Sequence, residues 1–279
     1  MRKFNRVFTV LVFIFLYIPM IVLAIASFNT GRDIAVFEGF TFRQYGELFR
    51  DDFLLALLGN SLLVAVLSSL VATVLGTAAA LGLHNAKGRL RSIVMTLTNI
   101  PMTNPDIVTG VSLALLFAFA GTMLKMNNIL GFGTVLIAHI TFNLPYVILS
   151  VLPKLAQMDP DLEDAALDLG CTPTQAFFKV ILHDIMPGVI SGFMMAFTMS
   201  LDDFVISYFV TGSSFITLPV EIYNYTKKPI HPKIYALFTL LFLAILLVMV
   251  VMNLVQARDE KQHRQSRGVF RAGRRGAGA

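Results

Sequence analysis

The run LLALLGNSLLVAVLSSLVATVLGTAAALGL, from Leu54 to Leu83, contains no Asp, Glu, Lys or Arg over 30 residues. A helix rises about 1.5 Å per residue, so about 20 apolar residues cross a hydrocarbon core about 30 Å thick. Five other runs of the same character predict an all-α, polytopic membrane protein. The six predicted transmembrane helices are Val7 to Phe28, Leu54 to Leu83, Ile93 to Gly121, Gly131 to Leu152, Gly188 to Val210 and Ile234 to Val255.

The composition of the whole chain agrees with a membrane protein. Its 279 residues are 56% hydrophobic and 14% charged, with a mean hydropathy of +0.73. A soluble domain carries about 25% charged residues, so the composition excludes an ordinary cytosolic enzyme and a disordered chain. The single cysteine, Cys171, excludes an internal disulfide and any Cys-rich metal site. The first apolar run is longer than the ~7–15 residues of a signal-peptide core, so we expect it to remain as a span.

The distribution of basic residues predicts the orientation. With the N-terminus inside, 15 of the 22 Lys and Arg lie on the cytoplasmic side, seven of them in the tail after Ala257. Cytoplasmic loops of membrane proteins carry this excess. We therefore expect both termini in the cytoplasm, a transmembrane domain over residues 1–256 and a basic cytoplasmic tail over 257–279. Because these charges flank spans, they indicate topology and not nucleic-acid binding.

The third predicted span is interrupted by Ile100-Pro-Met-Thr-Asn-Pro-Asp106. Proline removes a backbone donor, and lipid cannot replace the lost hydrogen bond. We expect this segment to face protein or a water-filled path. Asp106 would then begin the second half-helix, where the helix dipole stabilises a carboxylate.

The predicted cytoplasmic loop over residues 153–187 contains signals for a helical hairpin. Asp159 can cap a helix that begins at Pro160, and Gly170 can end it. Thr172-Pro-Thr-Gln175 has the spacing of a capping box for a second helix. The loop therefore predicts two short helices joined by a tight turn.

This hairpin resembles the EAA loop of ABC-importer permeases, in which Glu-Ala-Ala is followed at fixed spacing by Gly, Ile and Leu-Pro. Asp164 takes the Glu place, Val180 the Ile place, and His183 replaces the Pro, which leaves the end of the second helix open. The resemblance implies a type I importer fold and a groove on a partner ATPase that receives the hairpin. The implied coupling residues are Glu163, Asp164, Ala165, Ala166, Asp168, Gly170 and Leu182.

The likeness extends over nearly the whole chain. His139-Ile-Thr-Phe-Asn-Leu-Pro145, Ser200-Leu-Asp-Asp203 and Phe209-Val-Thr-Gly212 resemble permeases of spermidine and putrescine importers, especially the second permease subunit. The resemblance implies a bacterial inner-membrane, multi-pass subunit that works with a second homologous permease, an ABC ATPase dimer and a periplasmic substrate-binding protein. It also implies that this chain binds no cofactor, and that ATP and Mg²⁺ are used by the partner ATPase.

Three carboxylates lie within the predicted spans. Asp202, Asp203 and Asp106 have no Lys or Arg inside any of the six spans to neutralise them. A charge at membrane depth costs at least ~2.5 kcal/mol, so such groups usually face a cavity or a partner charge. A polycationic substrate would supply that charge, which makes these acids candidates for the substrate path. The alternative is that they only make hydrogen bonds that hold helices together, a role that we also expect for His139.

Other functional classes were weighed against ATP-driven import. The chain has no Gly-x-x-x-x-Gly-Lys-Ser/Thr loop, so hydrolysis falls to a partner, and we expect no catalytic residue and no metal site here. A permease for another small solute stays open. A proton-coupled carrier is disfavoured because such carriers have broken helices in pairs. The sequence indicates a single broken helix, without a matching partner. An intramembrane serine hydrolase lacks a Gly-x-Ser-x-Gly elbow.

Overall fold

The computed structural model describes residues 2–31, 36–126, 128–227, 232–247 and 249–250. Within these ranges the regular secondary structure is helical, apart from an isolated β-bridge between Asn29 and Phe40, and turns or irregular segments join the helices. The predicted tail over 257–279 and the end of the sixth predicted span lie outside the described residues. The helices are α1 (Arg2–Ala26), α2 (Arg43–Leu48), α3 (Asp52–Asn85), α4 (Gly88–Thr103), α5 (Asp106–Met123), α6 (Phe132–Gln157), α7 (Leu162–Asp168), α8 (Pro173–Ala176), α9 (Leu182–Asp202), α10 (Val205–Val210), α11 (Leu218–Thr226) and α12 (Pro232–Leu247).

Five helical segments in the described part of the chain are long and apolar enough to cross a membrane, and α12 is a shorter apolar helix. This arrangement confirms the prediction of an all-α, polytopic membrane protein. The five segments are Arg6–Ala26, Asp52–Asn85, Asp106–Met123, Phe132–Gln157 and Pro173–Asp202.

The third predicted span is interrupted in the structure, as the sequence predicts, and consists of two helices. α4 ends at Thr103 and α5 begins at Asp106, with extended backbone at Asn104 and Pro105 between them. Proline disfavours the helical conformation of the residue before it, which explains the break at Asn104. Pro101 is accommodated inside α4, so only the second proline separates the helices.

The fifth predicted span also differs from the structure. Helical backbone runs without interruption from Pro173 to Asp202, through a π-helical turn over Phe177–Ile181. The second arm of the hairpin is therefore the beginning of this span, and His183 lies inside the helix, not at its end. At the other end the helix stops at Asp202, and Val205–Val210 is the separate helix α10.

The chain divides into two compact units. The larger covers Gly59–Glu221 among the described residues and packs α3, α6 and α9 closely. A Cβ on Gly76 of α3 would lie 2.7 Å from the Val147 Cβ of α6, and one on Gly192 of α9 would lie 3.2 Å from the Val147 Cα. Small residues bring helix backbones close together, which is how helices associate inside lipid. This contact sets the position of the polar residues described below.

The smaller unit comprises Met1–Leu58 and Ile222–Val250. From Arg6 to Ile25, α1 buries no residue within the chain. Asp51, the residue directly before α3, accepts a hydrogen bond of 2.5 Å from the Lys233 ammonium. That hydrogen bond holds the pKa of Asp51 below its usual value of 3.8, against the opposing effect of burial.

Candidate functional site

The hairpin between α6 and α9 is built by local sequence signals. Gly170 has φ of +87°, a left-handed conformation that glycine adopts without strain, and it ends α7. The Gln175 backbone N–H donates to Thr172 Oγ1 at 3.3 Å, and the Thr172 N–H donates to Gln175 Oε1 at 3.1 Å. Both bonds of a capping box are therefore present.

The first arm of the hairpin begins later than the capping signal suggests. α7 starts at Leu162, because Asp159 Oδ1 accepts a hydrogen bond from the Asp161 N–H at 3.1 Å and holds a turn over Pro160. An aspartate that bonds the backbone two residues ahead stabilises a turn in place of a helical start.

The predicted coupling residues divide into an outer and an inner set. Ala166 is buried, and Leu182 packs against the core of α3, α6 and α9. The hairpin also presents two apolar side chains that sequence analysis passed over, Leu169 at 87% and Phe178 at 62% exposure. The sequence signal for Leu169 was an apolar residue directly before the glycine of the turn. The exposed members of the predicted set are Glu163, Asp164, Ala165, Asp168 and Gly170.

The second site of interest is the break between α9 and α10. Asp203 lies in the break, with extended backbone, and its carboxylate accepts hydrogen bonds from the backbone N–H groups of Ile206 at 3.2 Å and Ser207 at 2.8 Å. The first N–H groups of a helix have no partner within it, and inside a membrane they must be satisfied by protein. Asp203 thus supplies acceptors for the start of α10.

A buried histidine lies against this carboxylate. His139 of α6 is 1% exposed, and its Nε2 lies 3.4 Å from Asp203 Oδ2 and 2.9 Å from Ser207 Oγ. Its Nδ1 lies 2.5 Å from Ser200 Oγ, which in turn lies 3.0 Å from Ser68 Oγ of α3. These five side chains, which we call the histidine cluster, connect α3, α6, α9 and α10.

The structure separates the two neighbouring acids that the sequence pairs. Asp202, the last residue of α9, is exposed in the isolated chain, whereas the Asp203 side chain is 9% exposed. The carboxylate of Asp203 is engaged within the chain, and that of Asp202 faces outward.

Asp106 begins α5, as the sequence predicts, and is exposed. α5 packs directly on α10: a Cβ on Gly110 would lie 2.9 Å from Phe209 Cδ2 and 3.3 Å from the Ile206 Cα. Phe117 and Val210 share a core cluster farther along both helices, so the two run side by side. Asp106 lies one turn before Gly110, at the first residue of α5.

Two broken helices therefore lie next to each other, and the inference of a single one is wrong. The second break had no proline or glycine to announce it, since Asp203 and Phe204 occupy the positions. Among the described residues no group of three or more His, Cys, Asp or Glu side chains could hold a metal ion.

Residues 72–262 match the family described as "Binding-protein-dependent transport system inner membrane component". The chain belongs to this family. It is 40% identical over 252 residues to the putrescine transport system permease protein PotI of Escherichia coli strain K12, covering 90% of this chain and 89% of PotI. It is 38% identical over 253 residues to the spermidine/putrescine transport system permease protein PotC of the same strain, covering 91% and 93%.

A solved bacterial ABC transporter, involved in the import of the acidic polysaccharide alginate, contains a chain with the same fold. The TM-score is 0.72 at 15% identity, and the match covers 92% of this chain and 95% of that chain. Together with the family, the fold confirms the resemblance to ABC-importer permeases. The chain is a multi-pass inner-membrane permease subunit of an ABC importer, and not an enzyme.

Proposed function

We propose that this permease imports polyamines of the putrescine and spermidine class. The observation that carries the proposal is the likeness to two permeases named for putrescine transport over nine-tenths of the chain. The charge of the spans supports it independently. Asp106, Asp202 and Asp203 are the acidic side chains that the sequence places inside the six predicted spans, and no Lys or Arg accompanies them.

Asp202 and Asp106 are the carboxylates that we assign to the substrate path. Both are exposed in the isolated chain, and each lies at a helix break, Asp202 at the end of α9 and Asp106 at the start of α5. An ammonium group that passes either carboxylate gains a counter-charge, which lowers the energy of a cation in a low-dielectric surrounding. Asp203 contributes negative charge behind them while its oxygens accept backbone hydrogen bonds.

Coupling to ATP hydrolysis runs through the hairpin in this proposal. With both termini in the cytoplasm, α7 and its turn project toward an ABC ATPase dimer, which uses ATP and Mg²⁺ while this chain binds no cofactor. The exposed Leu169 and Phe178 would enter an apolar groove, and Glu163, Asp164 and Asp168 would line its edge. A second homologous permease completes the path, and a periplasmic binding protein delivers the substrate.

Uptake into proteoliposomes tests the substrate assignment. The complete transporter is reconstituted with ATP inside, and uptake of labelled putrescine, spermidine and a neutral sugar is compared. We expect uptake of the polyamines alone, and at least about tenfold slower uptake in Asp202→Asn, since one desolvated charge contact is worth about 1.4 kcal/mol or more. Asp52→Asn is the matched control because it removes an exposed carboxylate at the start of α3, away from the break and from the hairpin. Sugar uptake at the same rate would refute the proposal.

Coupling is tested separately with two glycines of the same backbone conformation. Gly170 and Gly88 both have positive φ, at +87° and +61°, and a Cβ on either would meet no atom within 4 Å. Tryptophan at either position lies at a positive φ, which is unfavourable for any residue with a Cβ, but only Gly170→Trp obstructs the hairpin. We expect Gly170→Trp to lose substrate-stimulated ATPase activity while Gly88→Trp keeps it. Equal loss in both variants would contradict the role of the hairpin.

A further inference from the structure

The described residues between α1 and α2, 27–31 and 36–42, are joined to each other and to α2 by side-chain hydrogen bonds. Asn29 Nδ2 donates to the Val36 carbonyl at 2.7 Å, and Asn29 Oδ1 accepts from the Glu38 N–H at 2.9 Å. The Ser27 and Tyr45 hydroxyls lie 2.7 Å apart. These bonds tie the end of α1 to α2, so the side chains on this segment cannot rearrange freely.

Four aromatic rings gather on this segment, and we call them the aromatic collar: Phe28, Phe40, Phe42 and Tyr45. The ring centroid of Phe28 lies 5.2 Å from that of Phe40, 5.4 Å from that of Phe42 and 5.2 Å from that of Tyr45. Although the rings touch one another, Phe40 and Phe42 remain 63% and 65% exposed. A rigid apolar surface of this kind indicates contact with a partner or a membrane.

The position of the collar identifies the membrane as that contact. Phe28 follows two residues after α1, whose apolar side chains are unburied in the chain and which belongs to an inner-membrane protein. The collar thus lies directly beyond the end of an apolar helix that is long enough to cross the membrane. Charged groups begin beside it: Arg43 donates to Glu47 at 2.7 Å, and the Arg43 side chain is 79% exposed. Aromatic rings next to charged groups, just beyond an apolar span, are the arrangement found at membrane–water interfaces.

We propose that the aromatic collar is an interfacial anchor, with the rings of Phe40 and Phe42 inserted between lipid headgroups and acyl chains at the end of α1. Because hydrogen bonds join the collar to α1 and α2, the anchor fixes the depth of that end of the smaller unit. The inference rests on membrane location alone and holds whatever substrate the importer carries.

Lipid quenching of tryptophan fluorescence tests the anchor. The chain contains no Trp, so Phe42→Trp adds one reporter to this subunit, and subtraction of the unsubstituted transporter removes the emission of other subunits. The complete transporter is placed in vesicles of phosphatidylethanolamine and phosphatidylglycerol brominated high on the acyl chains. Arg43→Trp is the matched control on the neighbouring residue. Phe40→Trp is a second reporter in case Phe42→Trp fails to assemble.

We expect brominated lipid to quench Phe42→Trp and Phe40→Trp at least about threefold more than Arg43→Trp, because bromine quenches only rings in contact with it. Iodide in the aqueous phase should show the opposite order. Strong iodide quenching of all three reporters would overturn the proposal by locating the collar in water. Shielding of Phe42→Trp from both quenchers, whether constant or produced by adding the substrate-binding protein, would overturn it in favour of a protein contact.

Discussion

Replacement of His139 by leucine tests whether the histidine cluster stabilises the membrane fold. The variant loses the contacts of the imidazole with Ser200 at 2.5 Å, Ser207 at 2.9 Å and Asp203 at 3.4 Å. Hydrogen bonds between transmembrane helices contribute about 0.6 kcal/mol each on average, so three such contacts give about 2 kcal/mol. We therefore expect the free energy of unfolding to fall by about 2 kcal/mol.

The free energy of unfolding is measured on the full chain in mixed micelles by titration with dodecyl sulfate, followed by circular dichroism. Thr141→Val is the matched control, since Thr141 lies on the same helix, is exposed and donates only to the Ile137 carbonyl. It should change the free energy by less than about 0.5 kcal/mol. His139→Gln should recover part of the loss, because an amide both donates and accepts. A His139→Leu variant as stable as Thr141→Val would refute this account of the cluster.

Two further predictions concern backbone packing and pH. Gly212→Ala should destabilise the chain by about 1–3 kcal/mol, because its Cβ would collide with the Leu130 carbonyl. Gly59→Ala has open space at its Cβ and should stabilise α3 by about 0.5–1 kcal/mol. Thermal unfolding should therefore show a lower melting temperature for Gly212→Ala and a higher one for Gly59→Ala. Lys233→Met should lower the melting temperature at pH 7, where Asp51 is ionised. The difference from the unsubstituted chain should vanish as the pH falls through the lowered pKa of Asp51, below 3.8, and a difference that persists there would contradict the pairing.

The hairpin was predictable in detail because its signals are local. A glycine that ends a helix and a Thr-Pro-x-Gln capping box act through bonds between residues at most a few positions apart. Two features of the hairpin differ from the prediction. α7 begins at Leu162 and not at Pro160, because Asp159 bonds its own turn, and the second helix is not short but continues to Asp202. The break at Asn104 was also predictable, since proline acts on the residue directly before it.

The break at Asp203 was not predictable from the sequence, because its cause is tertiary. An aspartate followed by phenylalanine carries no strong signal to end a helix, and the residue that lies against the carboxylate, His139, is far away in the chain. Sequence analysis did anticipate that His139 would make packing hydrogen bonds, from its type and its polar neighbours alone. The sequence did not indicate which of the two adjacent acids would lie against the imidazole.

The geometry of a helix end explains why Asp202 and Asp203 have different roles. Asp202 is the last residue of α9 and Asp203 has extended backbone, so the two neighbouring side chains have different surroundings. The α9–α10 break leaves backbone N–H groups at membrane depth, and one carboxylate satisfies two of them. Once Asp203 is turned inward to do so, its neighbour is directed away from the core and toward whatever lines the other side. The same interruption thus requires an acid for the fold and exposes a second acid to a passing cation. For this reason Asp203→Asn should destabilise the fold, whereas Asp202→Asn should slow polyamine uptake at unchanged stability.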